Sequence, residues 1–581
     1  MNEHLYRWRN KELREHVSVI DGTLAPTMLL ENATYLNVYL KQWVMANIWI
    51  YNDRIVYVGD RFPENTLHTE VVNCEGKYIV PGYIEPHAHP FQLYNPHQLA
   101  KYASQTGTTT LVNDNMLWLN LTTQKKAFTI LDDFMKIPIS MYWWARFDSQ
   151  TLLQDEHEIF HDSNILAWLN HAAVIQGGEL TSWPQVLADD DHVLYWMQEA
   201  KRLGKPIEGH FPGASERTLT KMKLLGASAD HEGMTGKEVF DRISIGYQVG
   251  LRYSSIRPDL PKLLSELKQL GITNYDSLTM TTDGSSPAFY EKGLINQCIE
   301  IAIEKGVPTI DAYMMASFNA AKHFNLHERL GSIAPGRVAH LNILDSKENP
   351  TPNSVIAKGQ WVLKEKETIT DNQVEINWGK YGINALQLNW DISEEDLQFS
   401  LPIGLEMVND VIVKPYAVTI EGNVEEIDRT HDESFLMLVD RKGQWRVNTL
   451  IKGFTDSLGG LVSSYSITGD IIFIGKSKQD MLLAFNRMKE LGGGIVLVNR
   501  GEIVFELPLT LSGMMNDGDM ETLISKDRLL NETLKQYGYK YNDPPHTLLF
   551  LSSTHLPFIR ITPQGIVDVK KREILFPAIM R

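Results

Sequence analysis

Cysteine is nearly absent. The 581 residues contain only Cys74 and Cys298. Two thiols cannot build a disulfide framework, so the composition is that of a reduced compartment and stability has to come from packed cores. No run of about 20 apolar residues occurs, which is the length a membrane-crossing helix needs. The N-terminal stretch MNEHLYRWRNKELREH is charged and has no apolar segment of the kind a secretory signal carries. Low-complexity tracts and short-period repeats are missing as well. Basic residues are in deficit: 55 Lys and Arg against 72 Asp and Glu leave a net charge of −17. Nucleic acids and anionic membranes bind basic patches, so neither is expected as a partner. A cytoplasmic protein is the expectation. Walker A and nucleophile-elbow patterns are absent, as is the PCxxC pair of one class of zinc sites.

What is present is ordinary globular material, 43% hydrophobic and 22% charged. The length suits more than one core and about three structural units. Residues 1–25 read as a charged, helical N-terminal arm. From Met28 to Asp60 short β-rich runs follow, with Asn52-Asp53 as a hairpin turn between two of them. Then strand and helix alternate. Eight short strands are expected: Tyr78–Ile84, Thr109–Val112, Ile139–Trp144, Ala173–Ile175, Pro206–His210, Ala229–His231, Gly250–Tyr253 and Leu278–Thr282. Helical segments such as Asp191–Leu203, Ser215–Leu225 and Glu291–Lys305 lie between them. Eight alternations over about 200–250 residues predict an α/β fold, a (β/α)8 TIM-type barrel, whose chemistry sits at the C-terminal ends of the strands.

At Gly331 the text GSIAPGRVAHLNILD returns to β structure. The expected organisation is therefore an arm (1–25), a small β domain split into 26–80 and 331–375, the barrel (81–330), a linker (376–400) and a C-terminal α+β domain (401–581).

The strand ends carry the chemistry. His87 and His89 follow the first strand. Glu179 follows the fourth, His210 the fifth, His231 and Glu232 the sixth, and Asp283 the eighth. Alternate residues of an extended chain share a face, so His87 and His89 can point one way and form half of a metal site. Mixed imidazole and carboxylate ligands suit divalent zinc, iron or manganese, and a pair of ions about 3.5–4 Å apart would use the whole set. Each residue also has a plainer reading. His210 alone fits a core histidine, Glu179 a loop charge, Asp283 a turn residue and Glu232 a supporting or surface group. Glu156, His157, Glu158 and His161 read as a solvated helix face, and Tyr142-Trp143-Trp144 as barrel core. The convergence of five strand ends is what favours a site.

The stretches VPGYIEPHAHP, SADHEG, TTDG and GSIAPGRVAHLNILD resemble the amidohydrolase superfamily, and within it the bacterial adenine deaminases. GTTTLVND and IEGHFPGASERTL are similar to that family's second strand and its Asp-Gly-His-Ala-Pro-Gly segment. HDESFLMLVDRKGQWRVNTLIKGF and LLAFNRMKELGGGIVLV resemble its C-terminal domain. The resemblance spans residues 30–581. It implies that His87, His89, Glu179, His210, His231 and Asp283 are metal ligands, with Glu179 as the bridging carboxylate and Glu179 and Asp283 as catalytic residues. It implies two divalent ions, manganese first, with iron or zinc as alternatives.

The implied activity is hydrolytic deamination of adenine to hypoxanthine and ammonia, in purine salvage. The partner is then a small-molecule purine, and the expected assembly a homo-oligomer, a dimer. Arg252 and Ser255, past the seventh strand, and Asp114 are the candidates for holding substrate. Three segments depart from the family pattern. Pro90-Phe91-Gln92-Leu93 stands for Ile-Glu-Ser-Ser, Asp114-Asn115-Met116-Leu117 for Asp-Pro-His-Glu, and Ile467-Thr468-Gly469-Asp470 for a His-Asp-Ser-His-Asn run. These keep two alternatives open: an amidohydrolase acting on an N6-substituted purine or a cyclic amide, and a metal- or purine-binding protein with a degenerate pocket.

Overall fold

The computed structural model describes residues 9–153, 156–369, 374–420 and 423–581. The first eight residues of the expected arm lie outside the described residues; the rest of the arm holds one helix, Asn10–Ile20. Eight parallel strands form the central sheet: β1 Tyr83–Ala88, β2 Thr108–Asn113, β3 Ser140–Ala145, β4 Val174–Leu180, β5 Ile207–Gly209, β6 Ala229–Asp230, β7 Gln248–Arg252 and β8 Leu278–Thr281. Each pairs with its neighbour in chain order. β1, β2 and β3 are buried at every position, as strands covered by helices on one face and packed inside a barrel on the other should be.

Side chains bring the first and last strands together. Glu85 of β1 accepts from Thr281 Oγ1 at 2.6 Å, from the Thr282 amide at 2.9 Å and from Thr282 Oγ1 at 2.7 Å. Burial pushes this carboxyl up to about 7, against the lowering effect of those hydroxyl and amide donors. The sheet is thus barrel-like, as the alternation predicts. The helices between its strands start where a side chain accepts the first-turn amides that no helix carbonyl can reach: Asn95 caps Pro96–Gln105, Asp190 caps Asp191–Arg202 and Ser215 caps Glu216–Leu225.

The first expected strand divides. Tyr78–Pro81 is antiparallel to Leu341–Leu344 in a nine-stranded sheet, and the barrel begins only at Tyr83. Gly82 makes the join because nothing larger fits: a Cβ there would stand 2.1 Å from Thr109 Oγ1 and 3.0 Å from His340 Cβ. The nine-stranded sheet contains strands from Met28–Asn73 and from Leu341–Thr368 side by side. A second nine-stranded sheet, built from strands between Ile403 and Pro508 and edged by Ile579–Met580, forms the C-terminal region with helices Lys478–Leu491 and Met520–Gln536.

Residues 376–400 are not a free linker. Trp378, Tyr381, Leu388, Leu397 and Phe399 are buried, and Trp378 stacks on Trp118 at 6.4 Å. No described helix is long and apolar enough to cross a membrane.

The turn Lys358-Gly359 ties the two halves of the first sheet. Gly359 has φ +72°, and a Cβ there would meet the Asn52 carbonyl oxygen at 1.8 Å. Gly359→Ala is therefore expected to cost at least about 2 kcal/mol, from strain and clash together. Calorimetry should show a lowered thermal midpoint; an unchanged midpoint would mean that the turn moves off Asn52 freely.

Candidate functional site

The C-terminal ends of the strands deliver six polar side chains to one place. His87 lies in β1 and His89 just past it, Glu179 in β4, His210 after β5, His231 after β6 and Asp283 after β8. The His87 ring is 5.1 Å from that of His89 and 4.1 Å from that of His231, and His231 is 5.7 Å from His210. Trp144 stacks under His87 at 4.6 Å and forms the floor of the site, while Trp143 of the same run packs in the core against Trp118 and Phe134.

Glu179 stands at the centre. Its Oε1 is 2.8 Å from His210 Nδ1, 3.6 Å from His231 Nε2 and 4.0 Å from His87 Nε2. Its Oε2 is 3.7 Å from His89 Nε2 and accepts from Arg146 at 2.8 Å and from Gln150 at 3.2 Å. Burial acts to raise its pKa, but His210, His231 and Arg146 outweigh burial and hold the carboxyl well below its ordinary range.

The donor set fits a divalent metal. Potential ligand atoms of His87, His89 and Glu179, and of Glu179, His210 and His231, lie within 4.8 Å of one another. Both ring nitrogens of His87, Nδ1 of His210 and Nε2 of His231 are buried without a well-formed hydrogen bond. Buried imidazole nitrogens left in this state are costly unless something takes their lone pairs. The other nitrogens are fixed as in metal sites where an outer group orients the ring. His89 Nδ1 meets Asp114 at 2.9 Å, and His231 Nδ1 meets Glu208 at 3.0 Å.

Asp283 has φ +52°, a left-handed conformation that aspartate tolerates and that costs energy when imposed. Its Oδ1 is 3.1 Å from His89 Nε2 and its Oδ2 is 2.8 Å from Arg252. Burial alone would raise its pKa; Arg252, then His89 and His87, hold it well below the usual range.

Two of the three residues expected to hold substrate do something else. Asp114 does not line the cavity: it lies fully buried behind His89 and takes Arg146 Nε at 2.8 Å and Nη2 at 2.7 Å. Ser255 is turned toward neighbouring loops, where its amide donates to Ser285 Oγ and its hydroxyl accepts from the Ser286 amide. Arg252 does line the cavity, but it is engaged by Glu232 at 2.5 Å and by Asp283. Glu232 is no surface group; it is buried and also pairs with Arg257 at 2.5 Å.

Sequence reading missed Arg146, Gln150 and Glu208, which sit one or more positions from anything with a ligand pattern. It also missed the far wall. The cavity, about 390 Å³, is closed by Asn409–Ile412, Ile467, His546, Phe550 and His555 of the C-terminal region. His546 is 2.9 Å from Asp543. Burial lowers its pKa, but Asp543 more than compensates and the net shift is upward.

Residues 78–362 match the model of the amidohydrolase family, and residues 412–573 that of the adenine deaminase C-terminal domain. Over 574 residues the chain is 59% identical to an Oceanobacillus iheyensis protein named "Putative adenine deaminase", covering 99% of each chain. A Bacillus subtilis protein of the same name is 52% identical over 581 residues, with each chain covered completely. "Adenine deaminase 1" of Oenococcus oeni is 25% identical over 555 residues, 92% of this chain and 96% of that one.

Arg146 is the cation that lets Asp114 and Glu179 be buried close together. Arg146→Met leaves both carboxylates unpaired and should cost about 3–5 kcal/mol. Adding Asp114→Asn should recover part of that loss, since the partners then leave together. Thermal midpoints of the single and double variants check this; strict additivity would remove the coupling.

Proposed function

The chain belongs to the adenine deaminases of the amidohydrolase family, and from that premise we propose that it hydrolyses adenine to hypoxanthine and ammonia at the barrel mouth. The observation that carries the reading is the convergence of His87, His89, Glu179, His210, His231 and Asp283 around buried imidazole nitrogens that lack hydrogen bonds. We propose these six as the ligand set for two divalent ions, manganese by family resemblance. Metal bound there supplies Lewis acidity, which makes water a usable nucleophile near neutral pH.

The chain's own residues do the rest. Asp283 is aimed into the cavity with one oxygen on Arg252, so its orientation is set before substrate arrives. As the water oxygen attacks C6, Asp283 takes the water proton; it returns a proton to the ring or to the amino group as the C6–N6 bond breaks. Arg252 pairs with Asp283 and is itself held by Glu232, so Arg252 orients this base and Glu232 orients Arg252.

The three departures from the family pattern favour a second reading. Phe91, Met116, Leu117, Ile467, Thr468 and Gly469 come together around one small recess, which shares Phe91, Ile467 and Leu549 with the main cavity. An apolar recess rejects a methyl or methylene poorly. In this reading an N6-substituted purine is a substrate beside adenine.

Two measurements test these readings. Asp283→Asn should keep most of its bound metal and lose roughly 10²–10⁴ in turnover; equal losses of metal and activity would make it a ligand only. On one metal-loaded preparation, kcat/KM for N6-methyladenine should come within about 10²-fold of that for adenine, since one methyl in a hydrophobic pocket is worth about 10–200-fold. A strong adenine preference would sink the second reading.

A further inference from the structure

The wall supplied by the C-terminal region contains one polar group built to face the cavity. His555 sits between helix Pro544–Phe550 and strand Ile559–Thr562 and lines the cavity opposite His210, with ring centroids 5.4 Å apart and nearly perpendicular. Phe550 holds its other side, edge-on at 5.7 Å. The segment around it is pinned to the barrel loop after β3. The Gln150 carbonyl accepts from the Thr554 amide at 2.9 Å and lies 3.3 Å from His555 Nδ1. Thr151 Oγ1 donates to the Ser552 carbonyl at 2.5 Å.

A carbonyl can only accept, so Nδ1 must carry the proton. In the neutral ring that leaves Nε2 as a lone pair. Nε2 has no partner among the described residues, and the ring is only partly buried, open toward the cavity. The same Gln150 that fixes the ring donates through its side chain to Glu179, so the position of His555 is tied to that of the central carboxylate.

We propose that His555 is a substrate-binding residue whose Nε2 accepts an N–H of the purine, orienting the ring over the strand-end cluster and selecting against ring edges that offer only lone pairs there. The inference rests on the purine deaminase reading. A site that hydrogen-bonds a polar edge discriminates because the wrong edge leaves a buried acceptor facing another acceptor.

The test compares His555→Phe, which keeps the ring shape without an acceptor, with His555→Gln, which restores a carbonyl oxygen. Adenine kcat and KM, metal content and the calorimetric Kd of hypoxanthine are measured for both and for the unaltered protein. His555→Phe should lose about 10–100-fold in kcat/KM, chiefly through KM, with a matching loss in hypoxanthine affinity and unchanged bound metal. His555→Gln should recover part of both. An active unaltered protein with unaffected His555→Phe binding overturns this inference alone. Metal lost in step with activity also overturns it, because His555 would then be a prop for His210. Absence of adenine turnover and of hypoxanthine binding in the unaltered protein takes down both this inference and the deaminase reading.

Discussion

Glu179 is the point at which the charges of the site meet, and much of the architecture around it can be read as a response to burying that one carboxylate. Its two oxygens face different companies: His210, His231 and His87 on one side, His89, Arg146 and Gln150 on the other. An isolated buried carboxylate would be neutral or ruinous to stability. Here Arg146 compensates it from below, and Asp114 in turn compensates Arg146 while fixing the ring of His89. The chain of contacts Glu179–Arg146–Asp114–His89 runs from one oxygen of the central carboxylate back to a histidine that faces the same oxygen. Changing any member alters the charge seen by the rest.

A second network does the same for Asp283. Arg252 bridges Glu232 and Asp283, and Arg257 meets Glu232 from outside. Two arginines against two carboxylates leave the local charge nearly balanced while fixing every orientation. Both Arg252 and Glu232 are thereby committed to ion pairs within the site.

The far wall belongs to the C-terminal region, which closes the cavity over the barrel mouth through Asn409–Ile412, Ile467, Phe550 and His555. His546 reaches back to the Gly284 carbonyl, beside the loop that carries Asp283. The region therefore forms one wall of the cavity at the barrel mouth.

The barrel, its strand order and the six strand-end residues were legible in the chain because they rest on local signals: apolar runs of strand length, helix periodicity between them, and histidine or carboxylate just past each run. The break at Gly82 was not, since the strand propensity of Tyr78–Ile84 is continuous and only the crowding of Thr109 and His340 around a missing Cβ divides it. The fates of Asp114 and Ser255 were hidden for the same reason. Sequence places a polar residue near a strand end, but which way it turns depends on whether a cation such as Arg146 waits behind it. The partners of Glu179 and the seat of His555 lie up to hundreds of residues apart in the chain, and their meeting follows from how the sheets and helices pack, since complementary charges and hydrogen-bond groups choose among neighbours only once packing has made them neighbours.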